Sequence, residues 1–239
     1  MSGFRSSVSS FAVLVLLAAF TCGITSADAQ MTRRTRRESN ANRQARIART
    51  TEETYAHRYE LFGGGGFLRF RPGEYLQRNP EITWATSGTY YLNPKVGIIA
   101  DIRGGYGNAK VGNTIYNIGN PLITEYTFMA GPSYRFYAKQ KYAASVHALV
   151  GYSLGNFDGG SKGISATKLG MWATSNRPVF SVGANFDYNL YPNLAVRITP
   201  TYVGTTFQGK DLATGNSNGS IQNNLGFNAG IVYRFGKIK

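Results

Sequence analysis

The chain has little cysteine, little histidine and little negative charge. Its 239 residues include one Cys, two His and 12 acidic residues against 26 basic ones. Because the only cysteine, Cys22, lies in the N-terminal apolar segment, a disulfide framework is not predicted for the rest of the chain. The two histidines, His57 and His147, are far apart in the sequence, and Cys/His clusters of the kind that bind zinc are absent. We therefore predict no metal site, no cofactor and no catalytic site.

Long apolar runs are also missing. The run from Phe11 to Phe20 (FAVLVLLAAF) is too short for a transmembrane helix, which needs about 20 apolar residues. A positively charged start precedes this run, and the small-residue cleavage signature ADA follows it at positions 27–29. This pattern predicts a secretory signal peptide over residues 1–29. A lipid anchor on Cys22 is the alternative, although the three residues before it fit a lipoprotein box poorly.

The next segment has almost no large apolar side chain. Residues 31–58 contain eight Arg and three Glu, and Ile47 is the main apolar exception. Such a composition cannot bury enough surface to offset chain entropy. We predict that residues 30–58 form a disordered, Arg-rich arm, or at most a marginal helix. The arm either attracts anionic partners such as acidic lipid headgroups or cell-wall polymer, or is a solvated tail without a specific role.

From Tyr59 onward the sequence changes to alternating apolar and polar residues. We predict eight long strands, each longer than the usual strand of about 5 or 6 residues and long enough to cross a hydrocarbon layer at a tilt. Their ranges are 59–71, 81–92, 95–106, 122–137, 141–155, 178–190, 194–208 and 221–235. Short turns alternate with long joints between them, as in an up-and-down barrel of the outer-membrane kind. We assign residues 59–239 to one all-β barrel domain.

The chemistry of the two strand faces indicates where each face lies. One face is rich in Leu, Ile, Val and Phe and tends to end in Tyr or Phe, as membrane-facing strands do. The other contains Gly, Ser, Thr and Asn with a few charges, whereas a water-exposed face would be rich in Lys and Glu. We therefore predict that lipid covers the apolar face and that the polar face lines a filled interior. A soluble, lipocalin-like exported carrier is the alternative fold.

Several charged residues fall on the predicted interior face. An unpaired buried charge costs several kcal/mol, so we predict that they form a network of salt bridges and hydrogen bonds. The members of this lumen charge network are Arg69, Arg71, Asp101, Arg103, Glu125, Arg135, Asp187, Arg197 and Arg234. Because an eight-stranded barrel is just wide enough for side chains to fill, a wide pore is not predicted.

The four-glycine run at positions 63–66 has the composition of a phosphate-binding loop. It lacks the Lys-Ser/Thr pair and the helix that such a loop requires. We interpret these glycines as the places where a barrel wall curves.

The signal sequence, the eight amphipathic strands, the Asn-Pro and Tyr-Pro-Asn turns and the terminal GIVYRFG resemble the small OmpA/OmpX-like outer-membrane β-barrels of Gram-negative bacteria. The resemblance covers residues 59–235. It implies a monomer in the outer membrane with a periplasmic N-terminus, contact with outer-membrane lipid and lipopolysaccharide, and insertion by the barrel-assembly machinery. That machinery reads an aromatic residue at the end of the last strand, here Phe235, although Gly236 to Lys239 follow it.

Three functions are compatible with this reading. The first is a structural role in the envelope, or surface interaction through the long loops, of which Asn156 to Arg177 is the longest and contains Lys162, Lys168, Met171 and Trp172. The second is a narrow channel that prefers anions because of the interior arginines. The third is a barrel enzyme that modifies lipid A. Since His147, Ser145 and Ser153 share the interior face, away from lipid, we predict no enzymatic activity; nucleic acid is not a predicted partner.

Overall fold

The computed structural model describes residues 39–112, 116–210 and 217–238, without the side chains of 217 and 218. The predicted signal peptide, the alternative lipid anchor on Cys22 and the first part of the arm lie outside the described residues. By its internal contacts the chain divides into two units, residues 1–43 and 44–239. In the first unit, the backbone N–H of Asn42 donates to the Ser39 side chain at 3.3 Å. Such a bond satisfies a donor at the start of a helix.

Part of the predicted disordered arm is a helix, α1 (Asn40–Tyr55). Of the two predicted states of the arm, disorder or a marginal helix, the structure shows a helix for these residues. The segment contains no Gly or Pro, and Ala, Arg, Gln and Glu are good helix formers. Helix propensity alone does not make a helix of this length stable, and contacts of its last turn with the barrel provide the additional stability. Among the described residues, no helix has the length and apolar character that a transmembrane helix requires.

The rest of the chain is built from strands. Their bounds are β1 (His57–Phe70), β2 (Asn79–Tyr91), β3 (Val96–Asn108), β4 (Leu122–Ala138), β5 (Tyr142–Gly159), β6 (Ser175–Tyr191), β7 (Leu194–Thr205), β8 (Gln208–Lys210), β9 (Ser217–Gly219) and β10 (Gln222–Lys237). The eight long strands match the eight predicted ones, with ends that differ by at most four residues. A 3-10 helix (Ala166–Leu169) lies in the β5–β6 loop. The two-stranded sheet β8–β9 was not predicted.

The eight long strands form a closed antiparallel barrel in the order β1-β10-β7-β6-β5-β4-β3-β2. Each strand pairs with its sequence neighbour, and β1 closes the barrel against β10 with Gly64 opposite Gly230. A side chain at Gly64 could not be accommodated, because a Cβ there would lie 2.4 Å from the Ala229 carbonyl oxygen. The glycines at this seam therefore permit close approach of two backbones, as in a curved barrel wall.

The outer face of the barrel is apolar. Phe186, Ile198 and Ile231 are 50%, 43% and 58% exposed, whereas Arg197, next to Ile198, is 3% exposed. Aromatic pairs ring both ends of this face, with aliphatic residues between. The pairs at the short-turn end are Tyr59–Phe235, Tyr59–Tyr90 and Tyr142–Tyr188, and those nearer the long loops are Phe67–Phe227, Tyr106–Tyr126 and Phe180–Tyr202. This arrangement, an apolar band between two aromatic girdles, is that of a membrane barrel.

Candidate functional site

The barrel interior is the candidate site, since it collects most of the buried charges. At the short-turn end, the Glu60 carboxylate on β1 accepts hydrogen bonds from Arg135 Nη2 at 2.5 Å, Arg197 Nη2 at 2.8 Å and Arg234 Nε at 2.8 Å. The Tyr91 hydroxyl donates to the same carboxylate at 3.2 Å. We call Glu60 and its partners the Glu60 hub.

Asp187 is the second acid of the hub. It receives Arg197 Nε at 2.6 Å and Nη2 at 2.8 Å, and Arg234 Nη2 at 2.8 Å. The Arg197–Asp187 contact is therefore bidentate, which is the strongest geometry for this pair. Glu60, Asp187, Arg197 and Arg234 are each at most 5% exposed. Three guanidinium groups thus face two carboxylates, and the hub carries an excess of positive charge.

Helix α1 supplies the group that closes this end. The Tyr55 hydroxyl donates to the Lys139 carbonyl at 2.7 Å and accepts from Asn189 Nδ2 at 2.8 Å. Asn189 in turn accepts from Arg234 Nη1 at 2.7 Å. The Arg135 guanidinium lies 4.8 Å from the centre of the Tyr55 ring and 4.2 Å from that of Tyr91. These cation–π contacts stabilise the positive charge that the two carboxylates of the hub do not neutralise.

Tyr55 is buried at the short-turn end of the barrel. Burial raises the pKa of its hydroxyl above the ordinary value of 10.0, and the hydrogen bond from Asn189 and the nearby Arg234 and Arg135 only partly oppose this effect. The neutral hydroxyl is therefore the form that the folded protein holds.

This placement predicts a pH-dependent contribution of Tyr55 to stability. Replacing Tyr55 with Phe keeps the ring and removes the hydroxyl, at a cost of about 1–3 kcal/mol near neutral pH. Between pH 10.0 and the raised pKa, Tyr55 ionises in the unfolded chain before it ionises in the folded one, so unfolding becomes more favourable as pH rises. We expect the stability difference between wild type and Tyr55→Phe to be full below this window and to vanish as pH rises through it. Urea unfolding of both proteins from pH 7 to 12 measures this difference; a constant difference would contradict the assignment.

The middle of the interior contains a separate ion pair and several amide and hydroxyl groups. Arg103 Nε donates to Asp101 at 2.6 Å. Thr199 donates to Asn185 Oδ1 at 3.0 Å, and Thr83 donates to Asn228 Oδ1 at 3.0 Å. These short polar side chains fill the space between β-strands and satisfy one another.

The upper interior contains two more buried acids. Glu125 accepts from Ser153 Oγ at 2.6 Å. Glu81 is 1% exposed, and neither of its carboxyl oxygens has a hydrogen-bond partner among the described residues. No group of three or more His, Cys, Asp or Glu in the described ranges is placed to hold a metal ion.

The long-loop end is closed by an apolar cluster, which we call the loop cap. Three of the four long connections and the adjoining strand ends supply its members. Its members are Phe70, Ala109, Val111, Ile118, Ile123, Phe157, Ala166, Leu169, Met171, Trp172 and Phe207. The rings of Phe70, Phe157 and Phe207 lie 5.1 to 6.2 Å apart, centre to centre. The loops therefore share a core of their own above the barrel.

Polar contacts hold the cap together. Trp172 Nε1 donates to the Arg71 carbonyl at 2.6 Å, which joins the β5–β6 loop to the β1–β2 loop. Asp158 accepts from the Ala166 backbone N–H at 2.8 Å and from Thr174 Oγ1 at 2.6 Å. Met171 and Trp172, expected in a contact surface, are each 1% exposed. They are structural residues of the cap, and the exposed groups of this loop include Lys162 and Lys168.

The structure brings seven of the nine predicted network residues into the interior. Arg135, Asp187, Arg197 and Arg234 join the hub, Asp101 pairs with Arg103, and Glu125 lies in the upper interior. The placement of Arg69 and Arg71 is wrong. Both are exposed, and Arg69 lies on the outer face of β1.

The error has a physical reason. In β1 the four glycines erase the alternation, and both parity classes contain Phe and Leu together with charges. The inward class is the one that contains Glu60 and Phe62. Sequence reasoning therefore missed Glu60, and it also missed Tyr55 and Glu81 on other elements. In the structure, the pairing of Tyr59 with the outward Phe235 places Glu60 inside.

Neither Ser145 nor Ser153 is hydrogen-bonded to His147 in the described part of the chain. Neither ring nitrogen of His147 has a hydrogen-bond partner in the described chain. Ser145 accepts from Asn185 at 3.2 Å, and Ser153 donates to Glu125. The prediction that the protein is not an enzyme stays a prediction.

No family model and no curated protein matches the sequence. Among solved structures, Neisserial surface protein A aligns with a TM-score of 0.51 and 13% identity, over 74% of this chain and 97% of its own. OprG from Pseudomonas aeruginosa has a TM-score of 0.49 and 12% identity, over 76% and 98%. Ail, the attachment invasion locus protein of Yersinia pestis, has a TM-score of 0.46 and 18% identity, over 75% and 99%.

The first of these similarities defines the class of fold. The chain is a small, closed, eight-stranded antiparallel barrel with the fold of outer-membrane barrels. The fold that the OmpA/OmpX-like resemblance implies is thereby confirmed.

Proposed function

We propose that this protein is an integral outer-membrane barrel with a filled lumen, which supports the envelope or interacts through its long-loop face and does not act as a pore. The observation that carries this proposal is closure at both ends. The Glu60 hub and Tyr55 fill the short-turn end, and the loop cap covers the other.

The outer face supports membrane insertion. Side chains of Ile, Val, Leu and Phe can contact the hydrocarbon of a membrane. Backbone N–H and C=O groups need hydrogen-bond partners there, and a closed barrel pairs them between its own strands. Aromatic girdles suit the two interfaces. In this proposal the short turns and helix α1 are periplasmic and the loop cap is extracellular. Phe235, in the aromatic girdle at the short-turn end, is the residue that the barrel-assembly machinery recognises. The proposed state is a monomer.

The interior disfavours the narrow anion channel. Two cavities in the lumen have volumes of about 20 and 10 Å³, the first lined by Arg103, Glu125 and Thr127 and the second by Asp101 and His147. A cavity needs roughly 10–15 Å³ to hold one water. Ion passage would require the hub to separate, which breaks several buried charge contacts together.

The long-loop face supports a role in contact with anionic groups. Lys110, Lys162, Lys168 and Lys210 are exposed there. The nearby Asp158 carboxylate is occupied by two hydrogen bonds within its own loop. A face with exposed lysines suits phosphate groups of lipopolysaccharide, its proposed partner.

Conductance separates the closed barrel from the channel. We expect the wild-type protein, inserted in planar bilayers and verified by its shift on an unheated gel, to give no defined single-channel steps. A double variant that opens both ends, Glu60→Ala with Trp172→Ala, is the comparison. Regular anion-selective steps from the wild-type protein would overturn the closed-lumen proposal.

Membrane fractionation tests the location independently. We expect the protein in the outer-membrane fraction, and we expect an unboiled sample to migrate differently from a boiled one because a folded barrel resists detergent. Recovery in the soluble periplasmic fraction, without a mobility shift, would favour the lipocalin-like alternative instead.

A further inference from the structure

A groove of about 840 Å³ lies between helix α1 and the short-turn end of the barrel. We call it the helix groove. One wall is formed by one face of helix α1 and by the residue that follows the helix. These residues are Gln44, Ile47, Ala48, Thr51, Glu52, Tyr55 and Ala56. The spacing follows one face of an α-helix. The other wall is formed by Pro94, Ala138, Lys139 and Ile238.

The groove is preserved because the helix is anchored at one end. Tyr55 fixes the last turn through its bond to Lys139, and the Ile238 backbone N–H donates to the Ala56 carbonyl at 2.8 Å. Ile47, Ala48, Ala138 and Ile238 line the space without filling it. Its volume falls in the range of small-molecule sites, roughly 300–1,000 Å³.

The rim of the groove is positively charged. Lys95 and Lys141, on the two short turns next to the groove, and Lys139, in its wall, are exposed. Glu52 lies in the groove wall, and Glu53 is engaged by Arg49 at 3.1 Å. An apolar cleft bordered by lysines fits a molecule that has a hydrocarbon chain and an anionic head.

The position of the groove specifies the kind of amphiphile. Tyr137 and Tyr142 flank the β4–β5 turn on the outer face and are 45% and 57% exposed. Such aromatic residues lie at the headgroup level of a bilayer. If the proposed membrane location holds, the groove opens at the interface of the inner leaflet, where phospholipids are its neighbours.

We propose that the helix groove binds an anionic phospholipid, with one acyl chain against Ile47 and Ala48 and the phosphate beside the turn lysines. Two other occupants fit less well. Residues 30–38 of this chain (QMTRRTRRE) are basic and polar, so the lysines repel them and the apolar walls do not bind them. A second copy would bring the same positive rim against this one.

Native mass spectrometry of the full chain, purified from outer membranes in detergent and stripped of lipid, tests this site. The probes are phosphatidylglycerol and phosphatidylcholine. We expect one phosphatidylglycerol to bind, and we expect Ala48→Trp to abolish that peak by filling the groove. Ala45→Trp is the matched control, because Ala45 is exposed on the same helix outside the groove wall, and it should bind as wild type does.

The lysines are tested separately. Lys139→Gln with Lys141→Gln should weaken phosphatidylglycerol binding by about tenfold and leave phosphatidylcholine unchanged, because lysines near a surface attract anionic lipid. Lys162→Gln with Lys168→Gln, at the opposite end, should change neither. Equal binding of both lipids by wild type would overturn the anionic preference.

Two further outcomes would contradict phospholipid binding in the helix groove and leave the proposed function unaffected. Lipid binding by Ala48→Trp equal to that of Ala45→Trp, in proteins that both shift on an unheated gel, removes the groove as the site. A dimer in wild type that Ala48→Trp abolishes assigns the groove to a second copy. Failure of the proposed function is different: the wild-type protein itself would then show no gel shift.

Discussion

Replacing Glu60 with Gln is expected to cost about 3–5 kcal/mol of unfolding free energy, the usual effect of removing one partner from a buried charge network. Glu60 is 2% exposed and is the carboxylate that Arg135, Arg197 and Arg234 share. With a neutral amide in its place, Asp187 remains as the only acid in contact with two of these arginines. Urea unfolding in lipid vesicles measures the loss.

The control for this variant is Glu53→Gln. Glu53 pairs with Arg49 on the helix surface, where the two side chains are 53% and 84% exposed. Exposed pairs of this kind contribute roughly 0–1 kcal/mol. Equal effects of the two substitutions would show that the Glu60 hub does not stabilise the barrel.

The second large effect is expected at the other end of the barrel. Replacing Trp172 with Ala should destabilise the loop cap by about 3–5 kcal/mol, because a large buried side chain leaves a cavity. Trp172 is 1% exposed and also donates its indole N–H to the Arg71 carbonyl. We expect protease sites in the β5–β6 and β1–β2 loops to become accessible in intact vesicles, while the barrel keeps its gel shift.

Tyr75 provides the comparison in the cap. It lies in the β1–β2 loop and is 88% exposed, so Tyr75→Ala removes almost no buried contact. The loops of the Tyr75→Ala variant should resist protease as those of the wild-type protein do. Cleavage of wild type, Trp172→Ala and Tyr75→Ala at the same rate would mean that the loops are open already and that the cap does not close the lumen.

Strand number, order and approximate bounds could be predicted because alternation and turn residues are local signals. In β7, for example, Val196 and Ile198 alternate with Arg197 and Thr199, and the structure places them outside and inside respectively. The same alternation places Asp187 and Arg197 on the inner faces of adjacent strands, where they pair directly.

Other parts of the site depend on contacts between distant residues, which no local pattern contains. Tyr55 reaches Lys139 and Asn189 from a segment whose composition indicates disorder. The loop cap unites residues of three loops and of the adjoining strand ends, which have no shared periodicity. In β1 the glycines between Phe62 and Phe67 removed the side chains that would have distinguished the two faces, so Glu60 was missed.

The central claim is that hydrocarbon covers the outer face while the polar interior and the loop cap are sealed from it. The two tryptophans test it directly, because Trp84 lies on the outer face and is 39% exposed, whereas Trp172 is buried in the cap. Trp172→Phe leaves only Trp84, and Trp84→Phe leaves only Trp172. In vesicles with brominated acyl chains, we predict strong quenching of Trp84 fluorescence and little quenching of Trp172. Quenching of Trp172 with Trp84 unaffected would contradict this account.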